Sequence, residues 1–185
     1  MREFFDFIYG EGRGVACLTL NDGSGHPTRD TFFTYPTQVD EMVKFCEEHS
    51  EETVYFTPSL LRANNRKKPS VQFLQVVFGD ADTMDLDNLL VEPSAIVTTS
   101  PGHTHVYWSV DNETDPFQIE MLNRALSQRH TRAEEGYDTG WAANKLLRVP
   151  GTMNLKYDEP FRDKIEYTGN VDAWEDSADD DPQGE

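Results

Sequence analysis

The sequence predicts an α+β fold, a small and mostly antiparallel sheet with helices on one side, and three observations lead there. Strand-like and helix-like segments mix without the strict alternation of a doubly wound sheet. Over residues 71–168 the order reads strand, hairpin, helix, helix, strand. At 185 residues, 37% hydrophobic and 11% aromatic, the chain is large and apolar enough to bury one sizeable core. Two lobes are expected, an N-terminal α/β lobe of about 1–70 and a sheet lobe of about 71–170.

Taken in order, residues 14–20 and 30–35 read as strands around the turn-rich Asn21-Asp22-Gly23-Ser24-Gly25. Thr37 reads as a helix N-cap with Asp40 three residues on, and Val39, Met42, Val43 and Cys46 follow at helical spacing. Thr53 to Thr57 is a short strand closed by Pro58, and a basic loop over 61–69 leads into a long strand, 71–79. Strands near 94–99 and 104–109 are joined by a Pro101-Gly102 turn. Asp115-Pro116 opens a helix with proline at its first position, and Phe117, Met121, Leu122, Ala125 and Leu126 supply its apolar face. A short helix is expected over 139–146, then a turn-rich stretch from Arg148 to Lys156 and a final strand over 163–168.

Charge and composition exclude several classes. No apolar run approaches the roughly 20 residues that span a bilayer, and the N-terminus lacks the features of a signal peptide. Cys17 and Cys46 cannot form a zinc site alone and sit in apolar patterns, so buried thiols in a reducing cytoplasm are expected. There is no GxxxxGK[ST] phosphate loop. The net charge of -18 argues against indiscriminate nucleic-acid binding. Seven of the acids fall in residues 171–185, which hold no Lys or Arg; residues 1–170 carry -11. That tail reads as a disordered linker or end, leaving 1–170 as the functional domain. Against this background Arg62, Arg66, Lys67 and Lys68 cluster in one loop, the natural place for phosphate contacts.

Three segments carry chemistry. Val76-Val77-Phe78 is an apolar run that ends in Asp80-Ala81-Asp82. On a strand, acids at i and i+2 share a face, the arrangement that holds divalent ions; the plainer reading is a strand end reaching water. Asp85-Leu86-Asp87 repeats the spacing in a polar stretch and reads as a solvated loop. His105 follows the Ser100-Pro101-Gly102 turn, which would set its ring beside the acidic strand. His103 shares its face and suits metal ligation, whereas a mid-strand histidine is also often a partly buried structural residue. Asp138 is either an acid of the site or the N-cap of the helix after it. Arg148 and Lys156 bracket Pro150-Gly151-Thr152, a turn flanked by cations that suits a triphosphate or is plain surface.

Together, in this order, these segments resemble the catalytic motifs of the archaeo-eukaryotic primase superfamily, in its phage and plasmid primase-polymerase branch. Asp80 and Asp82 match the metal acids, Ser100 and His105 the Ser-x-x-x-x-His motif, and Asp138 the third acid. Arg148 to Lys156 matches the Arg-x-Pro-Gly-Thr-x-Asn-x-Lys segment. One departure stands out. Where relatives often carry Ser-Gly-x-Gly-x-His, this chain has Pro101 and His103.

The resemblance implies an RRM-like sheet within a primase catalytic core and template-directed nucleotidyl transfer with NTP or dNTP substrates. Asp80, Asp82 and Asp138 would hold two Mg²⁺ or Mn²⁺ ions, and His105, Ser100, Arg148 and Lys156 would orient the triphosphate. Arg62, Arg66, Lys67 and Lys68 would grip a single-stranded DNA template and primer. The expected setting is the cytoplasm, the host's where a phage encodes the chain. The acidic end is compatible with a linker to a replicative helicase. Two rivals remain: a nicking endonuclease with His103 and His105 as ligands and Tyr107 or Tyr137 as nucleophile, and a silent sheet that stacks single strands on aromatics.

Overall fold

Pro58 sets the shape of the sheet. In the computed structural model, helix α1 (Arg2–Tyr9) precedes strand β1 (Gly14–Asn21), which pairs with β2 (Arg29–Tyr35) along one edge. After helix α2 (Val39–Glu48), the chain lays β3 (Thr53–Phe56) and then β4 (Leu60–Leu61) along the other edge of β1. Between those two strands lies Pro58, which has no N–H for the ladder, and the sheet forks there. One branch runs from β4 through β5 (Val71–Asp80), and places β7 (His103–Thr114) between β5 and β6 (Ala95–Ser100). Helix α3 (Pro116–His130) follows β7. The other branch is β3 with β8 (Leu147–Arg148). A small ribbon, β9 (Met153–Asn154) with β10 (Phe161–Arg162), leads to β11 (Lys164–Tyr167), which closes the first branch against β6. Every strand pairing among the described residues is antiparallel. The pairings of β4 with β5 and of β3 with β8 both cross residue 70.

The structure describes residues 1–21, 29–131, 136 and 140–168, with backbone alone for 111–114. The acidic tail 171–185, most of the turn expected at 21–25, Tyr137 and Asp138 lie outside those residues. Both cysteines are free and buried. Among the described residues no helix is long and apolar enough to cross a membrane.

Helix α1 has no counterpart in the sequence expectations. Phe4, Phe5, Ile8 and Tyr9 bury its inner face in the core. The Phe4 ring meets Phe56 of β3 edge-on at 5.0 Å and Tyr107 of β7 at 6.4 Å, so one side chain joins both branches. Tyr9 Oη donates to the Thr57 carbonyl at 2.8 Å, at the fork itself. Each of these aromatic burials stabilises the fold by roughly 1.5–3 kcal/mol.

Three expectations need correction. Helix α2 starts after Gln38 rather than Thr37; the Thr37 hydroxyl donates back to the Thr34 carbonyl, and the Gln38 side chain accepts from Thr34 N. Helix α3 begins as read, with the Asp115 carboxylate accepting from Phe117 N, but most of its expected apolar face points outward, with Leu126 packed partly against the core. Phe117, Met121 and Leu122 are 66%, 48% and 41% exposed, while Ile119, Asn123, Ser127 and His130 are buried. The reason lies in β5. Its pairing with β4 ends at Phe73, so Phe78 N has no strand partner on that side, and Asn123 Oδ1 accepts from it at 2.9 Å. A polar residue docks there because the backbone requires it.

The third correction concerns 139–146, where residues 140–146 form no helix. They make a strap with a turn at Ala143-Asn144, held by Ala143 N donating to Glu120 and by Asn144 Nδ2 donating to the Arg66 carbonyl at 3.1 Å.

Candidate active site

The acidic strand ends at the open side of the fork. Val76, Val77 and Phe78 are buried, and register places Asp80 opposite His105 on β7. Directly paired antiparallel residues share a face, so Asp80 and His105 do. Ala81 turns into the core, its N–H donating to the Thr104 carbonyl at 2.8 Å. Asp82 then emerges beside His103: Oδ2 lies 2.6 Å from His103 Nδ1, and Oδ1 accepts from Thr104 N at 3.2 Å. Because His103 and His105 alternate with Thr104, they share one face of β7, and the two acids address them in turn. Gly102, at φ +78°, makes the tight turn, and the Ser100–His103 pairing brings Ser100 to the same face.

Cations approach from the other branch and the strap. Lys145 Nζ donates to Asp80 Oδ2 at 3.3 Å, a contact that sequence reasoning missed because a lone lysine in an expected helix gave no signal. Arg148 pairs with Tyr55 through β8, and its guanidinium carbon lies 5.5 Å from the Tyr55 ring centre. Lys156 sits with Nζ 5.2 Å above the Tyr157 ring. Asp138, the third expected acid, falls outside the described residues. Among those residues, no three His, Cys, Asp or Glu side chains are grouped to hold an ion.

Electrostatics set the working state of each group. His105 is buried, and desolvation brings its imidazole down to about 4, against the pull of Asp80 and with the push of Lys145 and Arg148. It is therefore neutral at pH 7 and has one N–H to give. Burial alone would raise the Asp80 carboxyl, but His105 and Lys145 together hold it below the usual carboxylate range. Four polar atoms here are buried without any partner: Asp80 Oδ1, Ser100 Oγ, His105 Nδ1 and Arg148 Nε. Such orphans are rare in folded proteins. Gathered on one wall, they form a set of acceptors and donors suited to a cation and a phosphate chain.

The basic loop is tied to this site. Asn144 bonds the Arg66 carbonyl, and the next residue, Lys145, bonds Asp80. Two of the loop cations are already matched, Arg66 with Asp30 and Lys68 with Glu120. Arg62 and Lys67 are exposed, and no ion pair holds either among the described residues. Arg62 lines a cleft of about 230 Å³ at the start of α3.

The geometry bears on both rivals. Tyr107 is fully buried against Phe4 and Phe7, and burial drives its hydroxyl well above the usual value. It cannot reach a phosphodiester. Tyr137 is outside the described residues. Trp108 is likewise buried, and α1 covers Tyr107, so these two sheet aromatics offer no open stacking platform.

No family model matches the sequence, and no curated protein does. Solved structures do. The chain superposes on a crystal structure of primase RepB' with a TM-score of 0.62 and 15% identity, covering 93% of this chain and 56% of that one. On the AEP domain of the cyanophage S-2L primase-polymerase the TM-score is 0.59 at 15% identity, covering 91% and 90%. A RepB' catalytic domain in complex with initiator DNA gives 0.62 at 14%, covering 93% and 85%. Among the described residues the fold is α+β, with a mostly antiparallel sheet and three α-helices, and it matches the fold of these primase structures.

Proposed function

We propose that residues 1–170 are the catalytic domain of a template-directed nucleotidyltransferase, a DNA primase or primase-polymerase serving phage or plasmid replication in the cytoplasm. One observation carries the reading. At the opening of a primase-type fold, Asp80 and Asp82 face two histidines on one side of the sheet, beside the orphaned Ser100, His105 and Arg148 groups.

The carboxylates suit hard divalent cations. Asp80 Oδ1 is buried without a partner, and the other oxygen holds an ammonium, itself a stand-in for a cation. Asp80 and Asp82, with Asp138, would hold two Mg²⁺ or Mn²⁺ ions. Such ions, when bound, activate the attacking hydroxyl of a primer or first nucleotide and neutralise charge on the leaving pyrophosphate. In the resting chain Lys145 and His103 hydrogen-bond the two carboxylates, contacts that a bound ion would replace. Neutral His105 donates its single N–H to a phosphate oxygen, joined by the Ser100 hydroxyl. Arg148, anchored over Tyr55, supplies fixed positive charge where the triphosphate becomes more negative in the transition state. Lys156 adds a second cation. The initiator DNA bound by the RepB' catalytic domain suggests the partner: a single-stranded template with its primer, gripped by Arg62, Arg66, Lys67 and Lys68.

The test is extension on a single-stranded template with four ribo- and four deoxynucleoside triphosphates, Mg²⁺ or Mn²⁺, with and without primer. Wild type should extend, and Asp80→Ala with Asp82→Ala should abolish product while the protein stays folded. Undiminished extension by that variant would overturn the assignment.

A further inference from the structure

Behind Arg148 lies a buried acid that none of the recognised motifs contains. Asp163 follows the small ribbon, and its main chain is stitched to the turn after the cation. Its N–H donates to the Thr152 carbonyl at 3.0 Å, and its carbonyl accepts from Gly151 N at 2.8 Å. The neighbouring Arg162 guanidinium donates to the Gly151 carbonyl at 2.8 Å and to the Ser50 carbonyl at 3.2 Å. Residues 162 and 163 together fix the Pro150-Gly151-Thr152 turn.

The Asp163 side chain is buried with both oxygens unpartnered. A buried acid left in that state is costly, and so calls for a reason. Arg148 Nε is buried without a partner as well. The Arg148 charge acts on Asp163 and also on His105, so the guanidinium stands between this acid and the catalytic hairpin. On its other side Asp163 borders a cleft of about 460 Å³ beside the start of α1, none of whose described walls belongs to the hairpin.

We propose that Asp163 positions Arg148 for the triphosphate: its carboxyl backs the guanidinium from the far side and keeps the remaining donors aimed at the catalytic hairpin. The inference rests on the reading of Arg148 as a triphosphate cation and adds to it a residue outside the recognised motifs. A guanidinium carries five N–H donors in one plane, so one edge can hold the carboxyl while another serves phosphate oxygens. Burial pushes Asp163 up to about 8. Near pH 7 it is therefore mostly the neutral acid, which accepts from the guanidinium without cancelling its charge. At pH 9 it is the carboxylate, and it competes with the triphosphate for Arg148. The other titratable groups around it are Tyr107 of β7, Met1 and Glu3 at the start of α1, and Lys164, Glu166 and Tyr167 of β11. Asp163→Asn keeps all of them, so it isolates the contribution of this one acid.

The experiment measures inorganic tripolyphosphate binding by calorimetry in the presence of Mg²⁺. It compares wild type, Asp163→Asn, Asp163→Ala, Arg148→Ala and the double variant Asp163→Ala with Arg148→Ala. A hydrogen bond to a charged group is typically worth a factor of roughly ten or more in affinity. At pH 7 Asp163→Ala should weaken binding about tenfold, Asp163→Asn should stay within about threefold of wild type, and the double variant should match Arg148→Ala. From pH 7 to pH 9 wild type should lose about tenfold relative to Asp163→Asn. Wild-type affinity in Asp163→Ala would refute the role. An undiminished loss from Asp163→Ala in the Arg148→Ala background would also refute it, since the acid would then act on the fold rather than through the guanidinium. Should Asp163→Ala fail to fold, the pH comparison decides, and parallel profiles for wild type and Asp163→Asn would overturn the proposal. Wild-type affinity in Arg148→Ala would instead strike the underlying reading of Arg148, so the two failures are distinguishable.

Discussion

Replacing Asn123 with leucine tests whether the fork is held open by one amide. Asn123 is 1% exposed on α3; its Oδ1 accepts from Phe78 N at 2.9 Å and its Nδ2 donates to the Trp141 carbonyl at 3.3 Å. Leucine has the same number and branching of side-chain heavy atoms with bulkier methyl groups, so no cavity is left and any packing strain adds to the loss. What is lost is a partner for a buried strand N–H, which costs about 1–3 kcal/mol when left unmade, plus about 1 kcal/mol for the longer bond to the strap. The expected loss is about 3 kcal/mol, or roughly 6–12 °C in Tm for a domain of this size. Urea unfolding followed by tryptophan fluorescence measures it as a shift in midpoint at constant slope. Phe78 stands two residues before Asp80, so folded Asn123→Leu protein should also extend primers more slowly. A stability within about 0.5 kcal/mol of wild type would refute the reasoning, for it would mean that Phe78 N finds water or another acceptor.

Two further outcomes follow from the charges. Asp163 is 2% exposed with neither carboxylate oxygen hydrogen-bonded, and burial, only partly offset by Arg148, pushes it up to about 8. The folded chain thus keeps a proton that the unfolded chain releases near its ordinary value of ~3.9. Stability contributed by this group is full below that value and falls as pH rises, by up to about 1.4 kcal/mol per unit, until about pH 8. Asp163→Asn removes the dependence, so its stability relative to wild type should grow from pH 5 to pH 8 in urea melts; a constant difference would mean that the acid ionises normally. In the basic loop, Arg66 and Lys68 already have acidic partners. Neutralising Arg62 and Lys67 together should flatten the salt dependence of single-stranded DNA binding by about 1.4 log units per log unit of salt, from ~0.7 per phosphate contact. Neutralising Arg66 and Lys68 should change it less; the reverse order would show that the ion pairs open on binding.

How much was legible follows from which forces act locally. The β5 strand and its two acids read directly, because an apolar run ending in alternating carboxylates reports its own burial. The hairpin read equally well through Pro101-Gly102, since turn chemistry is a local property. The inner face of α3 did not. Its stripe of Phe117, Met121 and Leu122 obeys helical periodicity, yet the docking surface is a strand edge short of hydrogen-bond acceptors, and that shortage exists only once β4 stops at Leu61. Lys145 and Tyr157 were silent for a related reason. Each acts through a partner distant in sequence, Asp80 and His103, and neither sits in a spacing that local chemistry would mark.

The replacement of a glycine position by His103 bears on how this site rests. A chain with net charge -18 gains nothing from placing two of its carboxylates side by side at a sheet end; like charges so close would raise one pKa or push the strand tip apart. Here each acid has its own cover: Lys145 on Asp80 and the imidazole of His103 on Asp82. Glycine at 103 would leave Asp82 with only the Thr104 amide. The histidine therefore lets the acidic strand keep one conformation before any ligand arrives, and its ring is braced in turn by the stack on Tyr157. His103→Gly should accordingly loosen the hairpin tip, seen as faster amide exchange at Thr104, while Asp80, covered from the strap, stays protected. Equal exchange in both proteins would place the tip's order in the Gly102 turn alone.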